Sequence, residues 1–488
     1  MSVPTVYDTV PYPTGCYSQT HPDRLSTMAT LFGMSPAPVD RCRVLELGCG
    51  DGGNLIPMAY ALPESSFVGI DLASRPIAVG RAFIDRLGVR NISLHPQDLQ
   101  ALPADLGTFD YIIVHGLYAW VSPPVQDRIL AACRAHLAPQ GVAFVSYNAQ
   151  PGCHIREMLR EMMQYHVRDV ADPAERLTAA KALLGFLRRA WSEPNDLRYW
   201  VGLEAEAALR RQRDTIFHDE LAEDYRPVYF HQFAAHAARH QLQYLAETEF
   251  HEMNDAGLPE ATRETLRKLG SDRLLEKEQY LDFVKCRAFR QTLLCRKEVT
   301  LRREIPLAIV DQFHIETRAK DLGRTPSPGE MIEYRGPRGG SMKTSDPVIQ
   351  GLMGRLEQAW PRGIPFNRLN SGEFDPVELA GLVLRMYAAG IVELRLRLGS
   401  FCDTPGERPE ASRLARLQLE QRFTATNLRH ADVPFEEDDA LRLLVRLLDG
   451  TRDRAALIRE LGAAGWPVSP EQLETILRKL ARSALLVA

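Results

Sequence analysis

Short apolar runs separated by amphipathic stretches set the plan of the first third of the chain. Val44–Leu47, Phe67–Asp71, Ile92–His95, Tyr111–His115 and Gly141–Tyr147 have the length and apolar character of buried strands. Between them Asn54–Leu62, Ser74–Leu87 and Pro123–Leu137 read as helices; in the second, Ile77, Phe83, Ile84 and Leu87 form a stripe and Gly88 supplies the stop. Strand and helix alternate, so neighbouring strands need crossovers and the predicted fold is α/β with a parallel, doubly wound, Rossmann-like sheet. Ligands of such sheets lie beyond the carboxyl ends of the strands, where strand order reverses. Attention therefore falls on Glu46–Asn54, Asp71, Asp98, His115–Trp120 and Tyr147–Gly152.

The pattern changes downstream. HIREMLREMMQYHVRDV opens a helical stretch that places Ile155, Met158, Leu159, Met162, Met163 and His166 on one broad face. A helix at Tyr229–His240 and strand-like runs at Leu242–Ala246 and Arg290–Cys295 then predict an antiparallel hairpin that finishes the sheet. Past the Gly- and Pro-rich Arg318–Ser345, helices at Pro347–Trp360 and Pro376–Ala389 precede the alternating strand Ile391–Leu398, the order of a winged helix. Asp438–Leu448, Arg454–Leu461 and Glu471–Leu480 follow a similar plan. A chain of 488 residues exceeds what one core organises. The expected units are a cofactor-binding core at 1–152, a helical insert at 153–226, a region completing the sheet at 227–300, and two winged-helix-like α+β units at 301–405 and 406–488.

Chemistry concentrates in VLELGCGDGGN, where Gly48, Gly50 and Gly53 fit G-x-G-x-x-G. Dinucleotide and S-adenosylmethionine sites both want glycines here, and both want an acid such as Asp71 on the ribose. Glu46 separates them: its charge repels a pyrophosphate but suits the cationic amino-acid end of S-adenosylmethionine. The expected cofactor is therefore S-adenosylmethionine, met by Glu46, Gly48, Cys49, Gly50 and Asn54, by Asp71 and Leu72, and by Gln97, Asp98 and Leu99 at the adenine. His115 and Gly116 fall beside the sulfonium. His115, Tyr118, Trp120, Tyr147 and Asn148 are the candidates for holding a methyl acceptor; the competing reading makes them packing and turn residues. Tyr7, Tyr12 and His21 precede the first strand as either a lid or a docked arm.

Charge and cysteine usage narrow the partners. A net charge of −4, and a second winged-helix candidate helix (PVELAGLVLRMYAAG) whose one basic residue is Arg385, argue against nucleic acid. No apolar run approaches the roughly 20 residues of a membrane span, and MSVPTVYDTV lacks a signal-peptide pattern, so a cytoplasmic protein without membrane insertion is expected. None of the eight cysteines forms C-x-x-C. His236 and His240 in AAHAARH have no acid with ligand spacing beside them and H-E-x-x-H is absent, so no metal is expected.

YDTVPY, THPDRL, LELGCGDGGN, VHGLYAWV and SYNAQPG, with PVYFHQF, QLQYLAE and QYLDFVKCRAFRQTLLC further on, resemble bacterial class I methyltransferases that carry a methyltransferase regulatory domain. The best-known members are rickettsial protein-lysine methyltransferases acting on an outer-membrane protein. The resemblance implies methyl transfer to a protein or peptide acceptor at lysine nitrogen, and homodimerisation through the helical insert, which otherwise reads as a substrate lid. LLVRLLDGTRDRAALIREL is similar to small winged-helix peptide-recognition domains, which adds a second reason to expect a polypeptide substrate. In PGCH this chain departs from the family by placing Cys153 where an aromatic is common. A small-metabolite methyltransferase and a cofactor-sensing winged-helix regulator are the alternatives.

Overall fold

The computed structural model describes residues 6–487 apart from 11, 13, 104, 191–195, 212, 271–272, 322–329, 338, 371 and 437. Part of the Gly- and Pro-rich Arg318–Ser345 stretch thus lies outside the described residues. Seven strands, β1 (Arg43–Leu47), β2 (Ser66–Asp71), β3 (Ile92–Pro96), β4 (Phe109–Val114), β5 (Leu137–Asn148), β6 (Leu242–Glu247) and β7 (Phe289–Arg296), form one sheet in the order β3-β2-β1-β4-β5-β7-β6. The first five run parallel, while β7 is antiparallel to both β5 and β6. Strand order reverses between β1 and β4, so their carboxyl ends open the crevice that such sheets use for ligands.

Alternation along the strands builds two apolar layers. On one face Val44, Phe67, Tyr111 and Phe144 pack under α2 (Pro22–Leu31), α3 (Leu55–Ala61) and α4 (Ser74–Leu87), the first helix of the chain being the short α1 (Val6–Thr9). On the other, Leu45, Ile112, Val145 and Tyr147 pack under α5 (Pro123–His136) and the later helix Phe230–Arg239. Gly88 takes the left-handed conformation (φ 78°) that ends α4.

The helical insert comprises α6 (His154–His166), α7 (Pro173–Ala190), α8 (Leu197–Leu209) and α9 (Arg213–Glu220). Leu159, Met163 and Val167 lie in a core of its own with Leu184, Val201 and Ala205, so much of the methionine stripe is internal packing. Tyr165, Phe186 and Trp200 remain exposed on the insert. Helices α10 (Phe230–Arg239), α11 (Glu260–Leu269) and α12 (Leu274–Lys285) lead into β7. There the buried Arg290 bonds Glu247, Glu278 and Asp282 at once, which joins α12 to both strands of the hairpin.

Further on, His314–Thr317 pairs antiparallel with Ile364–Pro365 and Val392–Arg395, accompanied by helices Pro347–Ala359 and Pro376–Ala388. This unit docks on α2: Asp23 accepts from the Leu396 and Arg397 N–H groups, and Arg24 pairs with Glu393 at 2.8 Å. The last unit gathers Arg413–Gln421, Asp439–Leu447, Arg454–Ala463 and Pro470–Arg482 around Leu419, Leu444, Leu457 and Leu477. No helix among the described residues is long and apolar enough to cross a membrane.

Candidate functional site

After β1 the chain turns through Gly48, Gly50 and Gly52, all at positive φ (79°, 55° and 77°), a region costly for side-chain-bearing residues. The Gly48 and Cys49 N–H groups donate to Ile70 O at 2.8 and 3.1 Å, pinning the loop to the end of β2. Asp71 closes the other side by accepting from Gly50 N at 2.8 Å and Ala73 N at 2.9 Å. Burial raises the Asp71 carboxyl above its ordinary value. A Cβ at Gly80 would come within 2.2 Å of Asp51 O, so glycine there is what lets α4 approach the loop.

Glu46 stands at the mouth of this loop, 3 % exposed. Its Oε1 accepts from Asn54 Nδ2 at 2.8 Å, and its Oε2 is buried with no hydrogen-bond partner. Burial, with Asp71 and Asp51 adding repulsion, pushes this carboxyl up to about 8. A buried oxygen lacking a donor is costly, and a cation placed beside it removes that cost. At the end of β3, Asp98 caps the one-turn helix Leu99–Ala101 through Gln100 N at 2.8 Å, leaving the Leu99 N–H outside the helical bonding pattern. Gln97 N–H donates to Asp71 O at 2.8 Å, and Leu72 is exposed beside it. Acids, the Leu99 N–H and an orphaned carboxylate oxygen on one crevice suit a nucleoside whose far end is cationic.

Two distant segments clamp the loop, and local sequence patterns did not mark this role. Thr14 Oγ1 donates to Asp51 Oδ2 at 3.0 Å and Tyr17 N–H to Asn54 Oδ1 at 3.0 Å, so the residues before α2 strap the loop. From the last unit, His430 Nε2 reaches Asn54 Oδ1 at 2.9 Å and Arg422 reaches Asp51 Oδ2 at 3.1 Å. Burial pushes the His430 imidazole down to about 3, so it is neutral and donates through Nε2–H. Of the aromatic residues expected as lid or arm, Tyr7 stacks on His218 at 4.4 Å, Tyr12 donates to Asp219 at 3.2 Å, and His21 caps α2. The arm thus lies along the insert.

The other half of the crevice collects side chains. His115 follows β4; its Nδ1 lies 2.9 Å from Ser146 Oγ, which accepts from the Gly116 N–H at 2.8 Å. Burial pushes the His115 imidazole down to about 4. Tyr17 flanks the ring at 4.0 Å and Phe289 meets it edge-on at 6.4 Å. Asn148, at the end of β5, is cross-strand partner to Phe289, and its buried Oδ1 has no hydrogen-bond partner. Cys153 donates to Ala288 O at 3.0 Å, and its sulfur also interacts with the Asn148 amide.

Three of the residues expected to meet an acceptor are directed elsewhere. Tyr147 precedes Asn148 on a strand, so the two face opposite sides; Tyr147 is buried, stacks on Phe233 at 4.2 Å and bonds Thr292 Oγ1 at 3.1 Å. Tyr118 is buried edge-on against Phe233, with its hydroxyl 2.7 Å from His236 Nδ1. Trp120 leans on Tyr225 at 4.8 Å, beneath Arg156 and Arg160, at the junction with the insert. The crevice therefore brings His115 and Asn148 together and adds Tyr17 and Phe289, whose sequence surroundings carry no signal of it.

Comparison with known proteins agrees with this geometry. A methyltransferase domain model matches residues 44–141, a predicted methyltransferase regulatory domain matches 212–296, and a PKMT C-terminal winged helix domain matches 407–465. The uncharacterized protein RP789 of Rickettsia prowazekii is 30% identical over 482 residues, covering 93% of this chain and 85% of that protein. The chain belongs to the S-adenosylmethionine-dependent methyltransferases that carry a regulatory domain. A second R. prowazekii protein, the uncharacterized RP028, is 36% identical to this methyltransferase over 49% of its chain and 96% of the relative. The solved structure of PKMT2 from Rickettsia typhi in complex with AdoHcy superposes on it with a TM-score of 0.86 at 25% identity, over 98% of this chain and all of that one. The regulatory-domain match includes β6 and β7, so that domain is continuous with the catalytic sheet.

Proposed function

We propose that this methyltransferase modifies a protein or peptide, at a lysine side-chain nitrogen. The observation that carries the reading is the full-length likeness to PKMT2, which extends through the C-terminal winged-helix unit as well as the catalytic sheet. The resemblance to rickettsial protein-lysine methyltransferases supplies the acceptor atom.

When bound, S-adenosylmethionine supplies a methyl carbon on a sulfonium that is open to in-line displacement. Glu46 Oε2 would accept the donor's ammonium, the backbone of Gly48, Cys49 and Gly50 would leave room for close approach, and Asn54 holds Glu46 in place. Asp71 and Leu72 would meet the ribose, and Gln97, Asp98 and the Leu99 N–H would meet the adenine. His115 and Gly116 would line the reacting centre. On the acceptor side Asn148 Oδ1 takes a hydrogen bond from the incoming nitrogen and orients its lone pair. Tyr17, His115 and Phe289 exclude water, which favours the neutral amine over an ammonium whose solution pKa is about 10.4.

The insert is proposed to carry a dimer contact, supported by exposed Tyr165, Phe186 and Trp200; sedimentation of Trp200→Glu against the parent chain tests it. The central test incubates the full chain with isotopically labelled methyl donor and a bacterial lysate, then maps label by mass spectrometry. Label on lysine residues is expected. Label confined to small molecules would remove the protein-substrate reading.

A further inference from the structure

Outside the crevice, one group of chemically competent side chains converges. Asp127, on α5, and His236 and His240, at the end of α10, bring their ligand atoms within 4.8 Å of one another, the one such group of three among the described residues. His236 and His240 are four apart, so they share one helix face. Both turn Nε2 toward the same Asp127 oxygen, at 3.2 and 2.8 Å. The acid missing beside AAHAARH is thus delivered from 109 residues upstream.

Two further features distinguish this cluster from a surface ion pair. His236 is buried, and its second ring nitrogen is held by the buried Tyr118 hydroxyl at 2.7 Å. A fixed outer partner on the far nitrogen is what metal-binding imidazoles characteristically have, because it sets tautomer and ring direction. Meanwhile Asp127 is 59% exposed, which opens the cluster to water and to ion entry. Two imidazoles and one carboxylate with an open side match the donor set of a tetrahedral ion that keeps water as its fourth ligand. Imidazole-rich donors select zinc-class transition ions over magnesium or calcium. Arg239, on the same helix, places an opposing positive charge nearby, which the single carboxylate offsets.

We infer that Asp127, His236 and His240 form a binding site for a divalent transition ion of the zinc class. With an ion bound, each neutral imidazole would offer its Nε2 lone pair and carry its one proton on Nδ1; at His236 that Nδ1–H would donate to the Tyr118 hydroxyl 2.7 Å away. The ion ties α10, within the regulatory-domain match, to α5 of the catalytic sheet. Through Tyr118 it also reaches the loop that carries His115 and Gly116.

The test uses the full chain stripped with chelator, then dialysed against Zn(II) or Co(II), with metal content measured by mass spectrometry and Co(II) coordination by visible absorption. One ion per chain is expected, with the absorption of a four-coordinate cobalt site. Asp127→Ala and His240→Ala remove partly exposed ligands and are expected to weaken uptake at least ~10-fold, while His251→Ala leaves it unchanged. Absence of stoichiometric uptake, or uptake equal in parent, Asp127→Ala and His240→Ala chains, overturns the assignment. Binding is read directly, so the result stands whichever acceptor is methylated.

Discussion

From Glu46 to Asn54 the proposed cofactor half of the crevice is almost a single run of chain, completed by the ends of β2 and β3. The proposed acceptor half takes Tyr17, His115, Asn148 and Phe289 from four separate segments. In the first half positive-φ glycines and backbone N–H groups bonded to Ile70 and Asp71 shape the loop, and one carboxylate adds charge. In the second, side chains do it, and their alignment depends on how β5 pairs with β7. Val228 N–H donates to Asn148 O, Ala149 N–H to Ala288 O and Gly152 N–H to Arg287 O, so the regulatory-domain residues hold the strand end that carries Asn148. Damage to the cofactor half should appear in donor affinity. Damage to the acceptor half should appear in turnover with donor affinity intact.

The largest break is expected at Glu46. Its replacement by Ala removes the acceptor for a buried ammonium, at about 2–5 kcal/mol, or ~30-fold to several thousand-fold in Kd for adenosylhomocysteine by calorimetry. A loss below three-fold would place the ammonium elsewhere. The same residue sets a pH dependence. Its carboxyl, near 4.5 ordinarily, lies at about 8 in the ligand-free fold, so below pH 8 a proton must leave before the carboxylate can meet the ammonium. Affinity should therefore climb between pH 6 and 8, by up to ~10-fold per unit, with proton release; Glu46→Gln should flatten the climb. The linked stability effect has a definite sign: a raised carboxyl destabilises the ligand-free fold progressively as pH rises from 4.5 toward 8.

Second in size, Asn148→Ala should lower kcat by ~10–100-fold, about 1.4–2.7 kcal/mol, with cofactor Kd within two-fold. Stopped turnover and calorimetry on the same preparation separate the two quantities. Weaker cofactor binding with unchanged kcat would move Asn148 into the other half.

That contrast also explains what could be read in advance. The parallel strands, the glycine loop and the hairpin that completes the sheet were legible because each is written in local periodicity or in neighbours within a few positions. Glu46, Asp71 and Asp98 could be picked out because strand ends are visible in one dimension. The acceptor half was legible only in part, since His115 and Asn148 end strands while Tyr17 and Phe289 arrive by tertiary packing. Tyr147 shows a sharper limit: the run SYN marks the strand end, but which of two adjacent residues faces the crevice depends on pleat register, which apolar neighbours on both sides obscure. His430 and Arg422 carried no sequence signal, because they act on Asn54 and Asp51 across more than 370 positions.

A smaller effect belongs to the clamp. His430→Ala removes one of the donors to Asn54 Oδ1, about 1 kcal/mol, and should weaken cofactor binding by ~5-fold with kcat within two-fold of the parent. Arg422→Ala, whose partner Asp51 also accepts from Thr14, should do less.

The smallest expected change is the most discriminating for the acceptor face. Tyr147→Phe keeps the ring that stacks on Phe233 and removes only the hydroxyl bonded to Thr292. Thr292 Oγ1 still donates to Glu247 at 2.8 Å, so no buried donor is stranded and the loss in stability should stay near 1 kcal/mol, read from a urea midpoint. Because the side chain lies on the opposite face of β5 from Asn148, kcat and cofactor Kd should both remain within two-fold of the parent. A drop in kcat comparable to that of Asn148→Ala would mean that β5 slides by one residue when substrate binds, exchanging which face meets the acceptor, and would make register rather than side-chain identity the variable that organises this half of the crevice.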